Sequence, residues 1–151
     1  MSNHITGLTL HHENYPSSTH YPFSLPIFKQ TREILFESPV TFFVGENGTG
    51  KSTLLEALAH ASDIHIWRRN ENRQNQTNRY EKLFYKYISL TWANGRVPGS
   101  YFGSEIFNDF RQIVDGWAAS DPGQLKYFGG KSLVAQSHGQ SMMSYFRSRY
   151  K

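Results

Sequence analysis

An α/β domain organised around a glycine-rich loop is predicted by three features of the 151-residue sequence. Gly45, Gly50, Lys51 and Ser52 stand at the spacing G-x-x-x-x-G-K-[ST], the pattern of a loop that wraps a phosphate. The run ahead of it, Val40-Thr41-Phe42-Phe43-Val44, is rich in β-branched and aromatic side chains, which predicts a buried parallel strand. Behind it, Leu54, Leu55, Leu58 and Ala59 recur at helical spacing among good helix formers. Strand, loop and helix, in that order, are the context the pattern requires.

The residue types follow from the chemistry of holding an anion. Gly45, Gly48 and Gly50 allow positive φ angles and a close approach of backbone to ligand. The N–H groups of Glu46, Asn47, Gly48, Thr49 and Gly50 can then converge on phosphate oxygens, helped by the positive end of the helix that starts near Lys51. Lys51 is expected to reach the β- and γ-phosphates of ATP, and the Ser52 hydroxyl to ligate Mg²⁺. These two are the candidate catalytic groups. Thr53 closes the candidate binding stretch, as a first-turn helix residue rather than a second metal ligand.

Composition bounds the rest. The length suits about one domain, and aromatic residues at 15% offset an apolar fraction of 38%. With no cysteine, disulfide frameworks and thiolate metal sites are excluded. No apolar stretch is long enough to cross a membrane, and the N-terminus has no signal-peptide pattern. Direct membrane insertion is therefore not expected, and a cytoplasmic location is. The formal charge of +4 fits an anionic ligand and by itself gives no support for nucleic acid.

In chain order, Ile5 to Leu10 alternates apolar and polar residues, which predicts a half-exposed strand. The histidines that follow (His11, His12, His20), like His4, have no acidic partner at metal-ligand spacing and are expected to be solvated. Tyr21, Phe23 and Phe28 are candidates for the core or for stacking on adenine. Glu33 to Phe36 reads as a second strand before the Ser38-Pro39 turn, so a small side sheet should precede the loop. The helix after the loop should end near Ser62-Asp63. Arg68 to Arg79 contains no apolar residue, which predicts an exposed loop. Tyr80 to Trp92 fits helix or strand, with alternation in its last part. Ser104 to Trp117 has Ile106, Phe110, Ile113, Val114 and Trp117 at helical spacing, with Ser104 as a cap. After a glycine-bounded loop and a short run at Ser132 to Val134, the polar turn Ser137-His138-Gly139-Gln140 opens a last helix. Taken alone, that turn is as compatible with an ordinary helix cap as with an anion site.

Taken together, YPFSLP (Tyr21 to Pro26), Ser38 to Ala59, YFGSEIF (Tyr101 to Phe107) and AQSHGQS (Ala135 to Ser141) resemble the ATP-binding cassette (ABC) type of P-loop NTPase. More specifically, they resemble small stand-alone predicted ATPases of bacteria often labelled AAA family ATPases. These blocks span most of the chain, with the greatest departure at Ile64 to Trp92. The resemblance implies that Gly45 to Ser52 is the Walker A loop. It implies that Ser137, Gly139 and Gln140 form a signature loop acting on the nucleotide of a second subunit in a homodimer, with His138 where transporters carry glycine. Glu105 falls where the class has its lid-loop glutamine, and Tyr21 or Phe23 where it has an adenine-stacking ring.

The same resemblance calls for a Walker B strand ending in Asp-Glu, and no apolar run in the sequence ends so. Ile113-Val114-Asp115 is expected to be helix. The expectation is a single ABC-type domain over residues 1–151, truncated at its C-terminus, with an incomplete central sheet. It would bind ATP with little or no turnover, while the complete protein would hydrolyse ATP for an unidentified partner protein. Two other readings stand beside this one. One is a small P-loop kinase using Arg68, Arg69, Arg73 or Arg79 as phosphate clamps. The other is a non-catalytic, nucleotide-gated binding module.

Overall fold

The computed structural model describes residues 3–66 and 79–149, without the side chains of residues 79, 104–106 and 149. The chain divides into two compact units, the first taking in residues up to 65 and 79–101, the second residue 66 and 102–149. In chain order the elements are β1 (Ile5–Leu10), α1 (Pro26–Gln30), β2 (Glu33–Leu35), α2 (Lys51–Ser62), β3 (His65–Ile66), α3 (Arg79–Leu83), β4 (Ile88–Trp92), β5 (Ser100–Tyr101), α4 (Ser104–Ser120) and α5 (His138–Arg149). The mixture of helix and sheet is that of an α/β protein. Among the described residues no helix is long and apolar enough to cross a membrane.

In the first unit, β1 is the centre of an antiparallel sheet of order β2-β1-β4. Leu8 faces Ile34 on one side and Leu90 on the other, and Leu10 faces Ile88. The alternation read from Ile5 to Leu10 sends Leu8 and Leu10 into the core. There they meet Phe23, Phe28, Leu54, Ala57, Phe84 and Ile88. Phe23 and Phe28 are thus core residues. Tyr80 to Trp92 resolves into three pieces: the end of α3, a 3₁₀ turn at Phe84–Tyr87, and β4. The change of period inside that stretch is why neither helix nor strand fits the whole of it.

Val40 to Val44 corrects the sequence reading: Val40 lies in a bend, and the segment belongs to no strand. Phe42 is 84% exposed and Val44 91%, whereas Phe43 turns inward against Phe36. A buried parallel strand needs hydrogen-bonding neighbours in its own sheet and cover on both faces. Among the described residues no strand pairs with this segment, so only one of its faces is covered.

In the second unit, Phe107, Phe110 and Val114 fall on one face of α4 and form a core with Phe128 and Leu133. Phe102 stacks on Tyr145 of α5 with ring centroids 4.9 Å apart. Asp115 lies within α4, as its helical reading expects. The cap of α4 is Gly103 rather than Ser104: its extended backbone takes the half-in position, and its carbonyl accepts from the Phe107 N–H at 2.8 Å. Ser132 to Val134 forms no strand. The Arg68-to-Arg79 loop lies outside the described residues up to residue 78, and with it the candidate clamps Arg68, Arg69 and Arg73. Arg79 begins α3, and its side chain is not described; the same holds for Glu105 in the first turn of α4.

Candidate functional site

The loop between residue 45 and α2 is shaped by two glycines with left-handed backbone, Gly48 (φ 83°) and Gly50 (φ 94°). A Cβ on Gly48 would meet open space, so only its conformation asks for glycine. Gly50 is the N-cap of α2, and a Cβ there would lie 2.8 Å from Leu25 Cδ1 and 2.9 Å from Phe28 Cζ. The residues entering α1 therefore form the floor on which the loop rests.

The start of α2 supplies the polar groups. The Leu54 N–H is bonded to Gly50 O at 2.9 Å, so those of Lys51, Ser52 and Thr53 precede the first helical hydrogen bond. They carry the positive end of the helix dipole, and the first turn holds no acidic residue. Lys51 Nζ folds back over the loop, donating to Glu46 O at 2.6 Å and Gly45 O at 2.8 Å, with Thr49 Oγ1 at 3.4 Å. Thr49 Oγ1 in turn donates to Glu46 O at 2.9 Å. Gly45, Glu46, Asn47, Gly48, Thr49 and Ser52 are exposed. The loop and the first turn of α2 thus carry backbone donors, an ammonium group and an exposed hydroxyl, a donor set suited to a polyphosphate.

Thr53 differs from its neighbours. It is buried, and its hydroxyl bonds to Tyr21 OH and lies 3.5 Å from Glu81 Oε1. Its side chain thus belongs to the underside of the helix, and Tyr21 is tied to that helix. One protein hydroxyl, from Ser52, fits Mg²⁺, which usually keeps several waters and takes further ligands from phosphate. Beside the loop a cavity of about 440 Å³ is lined by Phe28, Ile34, Phe43, Val44, Gly50 and Lys51, among others.

His11, His12 and His20 each have a protein hydrogen-bond partner. His11 Nε2 is 2.6 Å from Ser89 Oγ, His12 Nε2 2.7 Å from Thr31 O, and His20 Nδ1 2.8 Å from Ser17 Oγ. Among the described residues no group of three or more His, Cys, Asp or Glu is placed to hold a metal. Near this region a hydrogen bond from the backbone, with a smaller contribution from His11, holds the Glu13 carboxyl below its ordinary value. Burial pushes the Tyr15 phenol up to about 12, and its hydroxyl donates to Phe28 O at 3.2 Å.

Ser137, Gly139 and Gln140 lie in the second unit, at the start of α5. Ser137 Oγ accepts from the Gln140 N–H at 3.3 Å, and Gln140 Oε1 accepts from the Ser137 N–H at 3.2 Å. This reciprocal pair is a capping box. Ser141, fully buried, donates toward Ser137 O (3.0 Å) and His138 O (2.9 Å). Gly139 is exposed, with nothing within 4 Å of a Cβ added there. Two residues that sequence reasoning left without a role, Arg111 and Asp115, hold the segment leading to this turn. Their i, i+4 spacing in an amphipathic helix was the available signal.

A family model described as AAA domain matches residues 24–108, more than half of the chain. The match contains the whole of Gly45 to Thr53 and ends before Ser137. No curated protein and no solved structure matches the chain.

Proposed function

The chain belongs to the AAA domain family, and from that premise we propose that it is a cytoplasmic ABC-type nucleotide-binding protein that takes ATP with Mg²⁺ at Gly45 to Thr53. The family points to nucleotide binding and ATPase-like chemistry in general. The observation that carries the specific reading is the gathering of Lys51 and the α2 N-terminus on an exposed loop.

In this reading the loop amides and the first turn of α2 bind the phosphates. Lys51 exchanges the Gly45 and Glu46 carbonyl oxygens for phosphate oxygens, which are better partners for an ammonium group. Ser52 holds Mg²⁺, which would neutralise phosphate charge when bound. Lys51 and the amides would stabilise charge as water attacks the terminal phosphorus and ADP leaves. Because no apolar run in the sequence ends in Asp-Glu, the chain would turn ATP over slowly or not at all. Ser137, Gly139 and Gln140 would meet the nucleotide of a second copy, making ATP the link in a homodimer whose conformational work serves a partner protein.

The test is titration of the chain with Mg-ATP beside Lys51→Ala. Binding should weaken at least tenfold in the variant, with no turnover in either protein. Equal affinity in the two proteins would overturn the site. ATP turnover that Lys51→Ala abolishes would overturn the expectation of an inactive chain, and a phosphorylated acceptor would favour the kinase reading.

A further inference from the structure

Residues 132–136 have no regular structure, yet two side chains of one helix bind five of their ten backbone N–H and C=O groups. Arg111 of α4 donates from Nε to Leu133 O at 2.8 Å, and from Nη2 to Val134 O at 2.9 Å and Gln136 O at 2.8 Å. One turn later, Asp115 accepts from the Ser132 hydroxyl, from the Leu133 N–H at 3.0 Å and from the Val134 N–H at 3.3 Å. A guanidinium takes three of the segment's carbonyls and a carboxylate takes two of its N–H groups. The planar fork of arginine suits the first task as lysine would not. Between them Leu133 is driven fully into the core against α4. The segment ends one residue before the Ser137–Gln140 cap, and Gln136 Oε1 also accepts from Ser144 Oγ of α5 at 2.7 Å.

Such an arrangement exceeds what a surface loop needs. A connection with its polar groups in water needs no clamp, whereas one that must present a turn in a single geometry does. Resting on the proposal that Ser137 to Gln140 meets a partner's nucleotide, we propose that Arg111 and Asp115 are positioning residues. They hold this turn in the geometry that captures the terminal phosphate of ATP bound by a second copy of the chain. They touch no nucleotide themselves and act through the 132–136 segment.

The experiment is a double-mutant cycle on the full chain, reading dimer formation with saturating Mg-ATP by sedimentation. ATP affinity and thermal midpoint are followed in parallel. Arg111→Ala and Ser137→Ala should each weaken ATP-dependent dimerisation at least tenfold, while Arg111→Ala leaves the ATP affinity of the monomer, measured at concentrations below those at which dimer forms, within twofold of wild type. The double variant should be no worse than the weaker single one, because both changes remove the same turn. Arg111→Lys should fail to restore the dimer. Asp115→Asn, a gentler change, should show a smaller loss with the same non-additivity. Normal dimerisation by Arg111→Ala would overturn the positioning role and leave the ATP-linked dimer standing. Losses that multiply would show that Arg111 only supports stability. A wild-type chain that stays monomeric with Mg-ATP would overturn the reading of Ser137 to Gln140, and the positioning role with it.

Discussion

Gly50 is constrained twice, by its φ of 94° and by the side chains of Leu25 and Phe28 within 3 Å of where a Cβ would sit. Gly50→Ala should therefore cost about 2–4 kcal/mol, combining left-handed strain with overpacking. Because the shift would move the start of α2, phosphate affinity should fall too. Gly48→Ala, with the same handedness but open space, should cost only about 1 kcal/mol; chemical denaturation of the two variants checks the difference. Tyr15 offers a second residue-scale prediction. Its pKa is raised from 10.0 to about 12, so between those values the folded state holds a proton that the unfolded state has lost. That contribution to stability is complete below pH 10 and disappears as pH rises through 12. Tyr15→Phe should lose less stability than wild type across that window, as read by thermal unfolding at stepped pH.

At the scale of elements, the irregular segment Val40–Val44 and α2 are held very differently. The helix is anchored through Leu54, Ala57 and Ala59, and its far end closes with Asp63 in a left-handed conformation, a common helix termination. The segment feeding the loop is anchored on one face only, through Phe43, leaving Phe42 and Val44 in water. Exposed apolar side chains gathered on one segment favour association between chains. Phe42→Ser with Val44→Thr should reduce concentration-dependent aggregation, measured by light scattering, and change the unfolding midpoint little. Aggregation unchanged by the pair would locate the sticky surface elsewhere. In the second unit the capping box at Ser137 and the clamp from α4 have the opposite character, with backbone groups paired rather than left open.

At the scale of the molecule, local patterns in the sequence were enough for the elements whose determinants are local. The alternation of β1, the helical repeat behind Lys51, the end of that helix near Ser62 and the helical face of Phe110 and Val114 are visible residue by residue, as is the spacing of Gly45, Gly50, Lys51 and Ser52. Tertiary structure alone decided three further points. Val40 to Val44 has strand composition, but composition cannot supply a neighbouring strand, and pairing is a non-local property. Thr53 follows Ser52 directly, yet its hydroxyl goes to Tyr21 and Glu81, because successive helix positions point about 100° apart. Ser137 and Gln140 pair with each other as a local capping box, but Arg111 and Asp115 are brought to the segment before it only when α4 packs over Leu133. Spacing along the chain determined what each segment can do alone, and burial and pairing between distant residues decided which of those capacities is used.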